Sequence, residues 1–323
     1  MAQGIQVKNG KAFEYALAKT YSDYLQSIGV NAVLSENRAL AVAERFFNGM
    51  SANVQSGFLD AALKTVETMV KLEPGFTAQS DNNDILQITL NADANGEDGD
   101  VRDVVFRRNR PVWEIGFSAK NNNDAVKHSR LSSILDFGKS WVGVPCSQDY
   151  WSDIKPVFQY IDSMMKTYKY WKEIGSEKAE KIYSPLLQAF KRELLKINAE
   201  NAGIPKKLIQ YLVGQYPFYK IIKDDAHNLV IVKAFNLDGE LNKTVNGVKS
   251  RYKTPRINFP TRIVEFEMKP DSDNTLNMIM DNGWEISFRI HNADAKFEKS
   301  LKFDIKLLGN PPVLFTQHLF QAE

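Results

Sequence analysis

Residues 99–120 read GDVRDVVFRRNRPVWEIGFSAK, and this stretch decides the fold. Two extended segments, 101–108 and 112–120, flank a short turn-rich segment at 109–111. Its proline cannot donate a hydrogen bond within a central ladder, which favours a turn at this point. The simplest arrangement of the two segments is an antiparallel hairpin, so the stretch predicts a β-sheet.

The second segment of this hairpin has one polar and one apolar face, because side chains of a strand alternate between faces. Its polar face carries Glu114, Gly116, Ser118 and Lys120. A carboxylate, a hydroxyl and a lysine on an otherwise apolar strand are costly to bury without partners. The pattern therefore indicates a functional site.

Asp103 opens the first segment and would lie beside one end of the second. With Glu114 and Lys120 it provides two carboxylates and an amine. Carboxylate oxygens suit Mg²⁺, which also binds water and substrate phosphates, as hydrolysis of a phosphodiester requires. We predict that Asp103 and Glu114 hold Mg²⁺ and that Lys120 orients the attacking water. Asp100 is the alternative to Asp103, which we favour because an apolar strand follows it directly.

The residues of this hairpin also have ordinary interpretations. Charged residues on a strand commonly form a solvated edge, and aspartates in glycine-containing loops usually bond local backbone. The local pattern alone therefore leaves a structural role open for Asp103, Glu114 and Lys120.

The composition is that of a globular protein. At 323 residues and 43% hydrophobic content, the chain can bury one large core or two smaller ones. The single cysteine excludes an internal disulfide framework, and we expect a reducing, cytoplasmic environment. The first 11 residues lack a signal-peptide core, and no apolar run approaches the roughly 18 residues needed to cross a bilayer. We therefore expect a protein that is neither secreted nor bound in a membrane.

Basic residues cluster in one segment, although the net charge is only +2. Residues 243–263 contain six basic and no acidic side chains, namely Lys243, Lys249, Arg251, Lys253, Arg256 and Arg262. A local basic segment suits phosphate binding, and arginine is the residue that most often reads guanine in the major groove. The alternative for any one of them is a solubilising surface role.

The order of the predicted elements is helices first and strands last. Hydrophobic periodicity predicts helices within 10–18, 39–46, 58–72, 153–183 and 184–201, and strands at 85–90, 228–235, 262–268, 284–291 and 300–307. Trp113 and Trp284 are expected in the core rather than stacked on bases.

An aspartate that leads an apolar strand, followed by a strand ending in acid-x-lysine, is the pattern of PD-(D/E)xK nucleases, which residues 103–120 resemble. The sequence departs from it at Ser118, where the acid is usual. Glu114, on the same face, would supply the missing carboxylate, as relocated acids do in some members. Residues 10–14 resemble the first helix of the superfamily, whose glutamate faces the metal, so Glu14 is an additional acidic candidate.

More specifically, residues 99–104, 113–122, 125–132 and 288–293 resemble the HaeIII family of type II restriction endonucleases. The resemblance implies Mg²⁺-dependent cleavage of double-stranded DNA at the palindrome GGCC to blunt ends. It also implies a cognate DNA methyltransferase as functional partner. A palindromic target suits a two-fold homodimer, although a monomer that nicks each strand in turn stays open.

The candidate DNA contacts lie in three places. They are Lys127, His128 and Arg130 after the catalytic strand, Lys249, Arg251, Lys253, Arg256 and Arg262 in the basic segment, and Arg289, His291 and Asn292 at a strand end. A surface cluster is the alternative for the first group, and a structural histidine for His291.

The predicted fold class is mixed α/β, with a restriction-endonuclease-like core in which helices flank a mixed central sheet. We expect a catalytic core at 1–152, a helical bridge at 153–205 and a β-rich DNA-recognition region at 206–323. Two other functions stay open. The absent acid at Ser118 allows a DNA-binding protein on a nuclease scaffold without catalysis, and the same chemistry would serve a repair or junction nuclease.

Overall fold

The structure of the protein is a computed structural model, which describes residues 2–81, 83–92, 100–122, 124–127, 129–237 and 239–320. The chain forms two compact units. The first comprises Met1–Asp124, Gly214–Ile257 and Val313–Glu323, and the second comprises Ala125–Val213 and Asn258–Pro312. The functional division into core, bridge and recognition region stays a prediction.

The helices and strands alternate along both units. The helices are α1 (Ala2–Ser27), α2 (Arg38–Asn48), α3 (Ala52–Leu72), α4 (Gln148–Thr167), α5 (Ser184–Glu200) and α6 (Ile204–Val213). The strands are β1 (Ala32–Leu34), β2 (Leu86–Leu90), β3 (Val104–Asn109), β4 (Val112–Asn121), β5 (Ala125–Lys127), β6 (Arg130–Ser132), β7 (Phe218–Asp224), β8 (Leu229–Phe235), β9 (Ile263–Met268), β10 (Thr275–Met280), β11 (Glu285–Asn292), β12 (Ser300–Gly309) and β13 (Phe315–Phe320).

The first unit is built on a mixed sheet with the strand order β1-β2-β3-β4-β7-β8-β13. The pairs β1–β2 and β4–β7 are parallel, and the other neighbours are antiparallel. Helix α1 packs against this sheet through Tyr21, whose ring lies 5.2 Å from that of Phe117 on β4. The mixed α/β fold class is thus confirmed.

The second unit contains an antiparallel sheet with the order β5-β12-β11-β10-β9, in which β6 also pairs with β12. Its core is aromatic, and Phe190 of α5 lies 5.1 Å from Phe303 of β12 between ring centroids. Trp284 is fully buried in this unit, as Trp113 is nearly so in the first, which confirms both as core residues.

The prediction of a single helix over 153–183 was wrong in its second half. Helix α4 ends at Thr167, and Tyr168 is extended. A short 3₁₀ turn at Trp171–Ile174 and a π-helical turn at Ala179–Tyr183 then lead into α5. Across the described ranges, every helix is too short or too polar to span a membrane.

The segment after Gly203 was predicted to become strand-like, but α6 comes first. Pro205 lies in its first turn, where a missing N–H costs nothing because the first N–H groups of a helix lack partners. The strands β7, β10 and β13 were also not predicted. Strand β7 matters most for the site, because it pairs with the catalytic strand β4.

Candidate active site

Strands β3 and β4 form the antiparallel hairpin that the sequence predicts. In its register, Val104 lies opposite Phe117, and Arg107 lies opposite Glu114. Asp103, one residue before β3, donates its N–H to the carbonyl of Phe117 at 2.7 Å. Asp103 therefore lies at the Lys120 end of β4, away from Glu114.

Asp103 and Lys120 come together at this end of the hairpin. The Lys120 Nζ lies 3.5 Å from Oδ2 of Asp103. The same oxygen accepts the N–H of Ala119 at 2.7 Å and the hydroxyl of Ser118 at 3.4 Å. Ser118, which stands where the family pattern has an acid, thus helps to orient the acid of the neighbouring strand.

Glu14 of α1 is the second carboxylate of this group. Its side chain is almost fully buried, and Lys11 Nζ donates to its Oε2 at 2.9 Å. Burial, and then the negative charge of Asp103, raise the pKa of Glu14 to about 8, while the charges of Lys11 and Lys120 lower it. Glu14, Asp103 and Lys120 therefore form one electrostatically linked group, which we call the acidic cluster.

The structure does not bring Glu114 into the acidic cluster. Its Oε1 accepts a hydrogen bond from Arg102 at 2.8 Å, and its Oε2 accepts one from Arg107 at 2.6 Å. Burial would raise the pKa of Glu114, but these two guanidinium groups bring it below its ordinary value. The pairing of Glu114 with Asp103 around one metal is therefore corrected, because the register separates them and arginines hold both carboxylate oxygens of Glu114.

Asp100 is also bound by Arg102. The guanidinium donates from Nε to Oδ1 at 2.7 Å and from Nη2 to Oδ2 at 2.9 Å, so the pair is bidentate. Between Asp100 and Asp103, only Asp103 contacts Lys120. Arg102 itself was not identified from the sequence, and its nearly buried position next to Asp103 was the signal that only packing reveals.

Gly116 is required by the position of Arg102. A Cβ at residue 116 would lie 2.3 Å from Cδ of Arg102. The guanidinium also lies 4.5 Å from the ring centroid of Tyr216, a favourable cation–π distance. We call Arg102 with Asp100 and Glu114 the arginine clamp, which holds the chain immediately before Asp103.

The sequence matches a known family over most of its length. The family model described as HaeIII restriction endonuclease matches residues 10–311, which contain the whole acidic cluster. The chain belongs to the HaeIII restriction endonuclease family. It is 38% identical over 307 residues to the Type II restriction enzyme HaeIII of Haemophilus aegyptius, a match that covers 95% of each chain. No solved structure matches it.

The basic segment of this HaeIII family member is an exposed loop. Lys249, Arg251, Lys253 and Arg256 are exposed in the first unit, and Arg262 is exposed in the second. Asn242 anchors the loop, because its side chain donates to the carbonyl of Leu72 and its N–H donates to Oε1 of Glu73 at 2.6 Å. The loop therefore presents cations from a fixed base, and their DNA contacts stay a prediction.

The other predicted DNA contacts have mixed surroundings. Lys127 donates to the carbonyl of Tyr211 at 3.1 Å, and exposed Arg130 donates to Ser300 at 2.8 Å. His128 lies outside the described residues. Arg289 is exposed.

His291 and Asn292 are more enclosed than Arg289. Burial first lowers the pKa of His291, whose Nδ1 lies 2.8 Å from the carbonyl of Asn292. The side chain of Asn292 donates to the carbonyl of Asp294. Both side chains thus have structural partners, and their contact with DNA stays a prediction.

Glu73 makes the anchor of the basic loop sensitive to pH. It is fully buried and accepts the Tyr219 hydroxyl at 2.5 Å, and burial raises its pKa to about 7 from an ordinary value of 4.5. The folded protein keeps this proton to about pH 7, whereas the unfolded chain loses it near 4.5. Stability should therefore fall as pH rises between these values, by about 3 kcal/mol from this group.

The test compares urea unfolding of wild type and Glu73→Gln at pH 5 and pH 8. We expect the free energy of unfolding of the variant to lose less with rising pH than that of wild type. An equal loss in both proteins would show that Glu73 does not carry the effect.

Proposed function

We propose that this protein hydrolyses phosphodiester bonds of double-stranded DNA, with Glu14 and Asp103 as Mg²⁺ ligands and Lys120 beside the attacking water. The observation that carries the proposal is the convergence of two carboxylates and a lysine at the end of β4. Membership of a restriction endonuclease family supports DNA cleavage at specific sites.

The acidic cluster fits a magnesium ion. Among the residues that the structure describes, no three His, Cys, Asp or Glu side chains converge as a metal cage. Mg²⁺ needs only one or two protein carboxylates, because it keeps water ligands and binds substrate phosphates. A cation beside Glu14 would also favour the ionised form that burial opposes.

The residues of the cluster have distinct roles. Bound Mg²⁺ would polarise the scissile phosphate and lower the pKa of a coordinated water. Asp103 is oriented through Oδ2 by the Ala119 N–H, so we assign the ligand role to Oδ1. Lys120 holds the attacking water and neutralises charge that develops on the phosphate oxygens. Lys11 fixes Glu14 from the side of α1.

We propose GGCC as the target, with cleavage to blunt ends that carry a 5′-phosphate and a 3′-hydroxyl. The family resemblance implies this target, and the exposed arginines of the basic loop suit guanine-rich base edges. A homodimer would place one acidic cluster on each strand of the palindrome, and a cognate methyltransferase would protect the host DNA.

The direct test is digestion of plasmid DNA by wild type and Lys120→Ala with and without Mg²⁺. We expect discrete fragments from wild type in Mg²⁺ only, and a rate for Lys120→Ala that is lower by at least roughly 100-fold. Lys19→Ala is the matched control, because Lys19 is an exposed residue of α1 whose partner is Asp23. It should cut at the wild-type rate.

Each failure has its own meaning. DNA binding without cleavage by wild type would favour the non-catalytic DNA-binding function. A smear instead of fragments that end at one palindrome would favour a repair or junction nuclease. Full activity of Lys120→Ala would contradict the role of this residue.

A further inference from the structure

A second lysine lies beside the catalytic strand on the face of Lys120. Strand β7 pairs with β4 in parallel, and its Lys220 is in register with Ser118. Residues in register on neighbouring strands project to the same face, and Lys120 is the next residue along that face of β4. Lys220 is only 4% exposed, so its charge lies inside the protein.

Lys220 belongs to a group of three charged side chains. Its Nζ donates to the backbone carbonyl of Asp124 at 2.9 Å and to the Asp124 carboxylate. Lys233 of β8, directly opposite Lys220 in the sheet, donates to the other oxygen of Asp124 at 2.6 Å. Two ammonium groups share one carboxylate, so the group carries one positive charge in excess.

This excess charge acts on Lys120. Like charges repel more strongly where water is excluded, because the effective dielectric constant is lower there. The charge of Lys120 lowers the pKa of Lys220 in addition to the larger effect of burial, so the two ammonium groups are in electrostatic contact. On the other side, Asp103 attracts Lys120 from 3.5 Å.

We propose that Lys220, fixed by Asp124, is a positioning residue that directs the Lys120 ammonium toward Asp103 and the scissile phosphate. This inference rests on the proposed function. Lys220 does not touch substrate in this account. It acts by excluding the orientation in which Lys120 would turn back along the sheet, and the carboxylate that the family pattern places at 118 is replaced by a hydroxyl that leaves Lys220 to Asp124.

The test is Lys220→Met and Lys220→Gln in the full chain. Lys233 still neutralises Asp124 in both variants, so neither leaves an unpaired buried carboxylate. Glutamine also keeps a hydrogen-bond donor for Asp124 without a charge. We expect both to cleave about 10- to 100-fold more slowly in single-turnover reactions with Mg²⁺, as misplaced catalytic groups do, with DNA affinity in Ca²⁺ unchanged.

Lys223→Met is the matched control. Lys223 is a buried lysine of the same strand that pairs with Asp225, and it lies on the other face, near Phe58 of α3. Its loss should lower the thermal midpoint as much as the loss of Lys220 while the cleavage rate is kept.

A double-mutant comparison separates positioning from general structural damage. If Lys220 acts through Lys120, then Lys220→Met should cause no further loss in a Lys120→Ala background. The inference is overturned if Lys220→Met cuts as fast as Lys223→Met, or if its loss is equal in both backgrounds. Absence of cleavage by wild type, or full activity of Lys120→Ala, would instead refute the proposed function, and the inference would fall with it.

Discussion

Glu14→Gln will reduce the rate of Mg²⁺-dependent DNA cleavage by roughly 1,000-fold, whereas Glu114→Gln will leave it within about fivefold of wild type. Glu14 is buried beside Asp103 and loses a charged ligand oxygen in the variant. Glu114 is bound to Arg102 and Arg107, and a glutamine can still accept a hydrogen bond from Arg102.

Single-turnover cleavage of a duplex with one target site measures both variants under the same conditions. Thermal unfolding without metal serves as the folding control, and Glu14→Gln should not be less stable than wild type, because burial disfavours the charge that it removes. The reverse order of activity, with Glu114→Gln inactive and Glu14→Gln active, would restore Glu114 as the metal ligand.

Gly116→Ala will both destabilise the protein and slow cleavage. The new Cβ would lie 2.3 Å from Arg102, so the guanidinium must leave its bonds with Asp100 and Glu114. Overpacking alone typically costs about 1–3 kcal/mol, and the broken ion pairs add to it. Because Arg102 directly precedes Asp103, we expect a rate loss of about 100-fold in the protein that remains folded.

Gly10→Ala is the control for this prediction. Gly10 lies in the middle of α1, and a Cβ there meets nothing within 4 Å. Alanine should raise the free energy of unfolding by roughly 0.5–1 kcal/mol and leave cleavage unchanged. Urea unfolding and cleavage rates of the two variants test the argument, and equal effects of both substitutions would contradict it.

The hairpin was predictable from the sequence because its signals are local. Alternation assigns each side chain of β4 to a face, and Asn109 to Pro111 mark the turn. The proximity of Asp103 to Lys120 then depends only on register. It is confirmed by the 3.5 Å contact, while the roles of both residues stay predictions.

The second carboxylate was harder to predict, because its identity depends on long-range packing. A strand pattern shows that Glu114 shares a face with Lys120, but not that Arg102 and Arg107 reach its oxygens. Glu14 lies on a helix about 90 residues earlier in the chain, and only the docking of α1 brings it to Asp103. Family resemblance, rather than periodicity, made Glu14 a candidate.

The missing elements have similar causes. The sequence 203–205 contains a glycine and a proline, which suggested a break, although proline is well suited to the first turn of α6. Strand β7 places lysines on both faces, so it lacks simple alternation. Lys220 was consequently not identified, since its role depends on Asp124 and Lys233.

The most direct test of the acidic cluster is a crystal structure with duplex DNA and Ca²⁺, which occupies oxygen ligands without supporting turnover in many such sites. The account predicts a cation about 2.3–2.6 Å from carboxylate oxygens of both Glu14 and Asp103, with Glu114 still bound by Arg102. A cation coordinated by Glu114, with Glu14 buried away from it, would contradict the account.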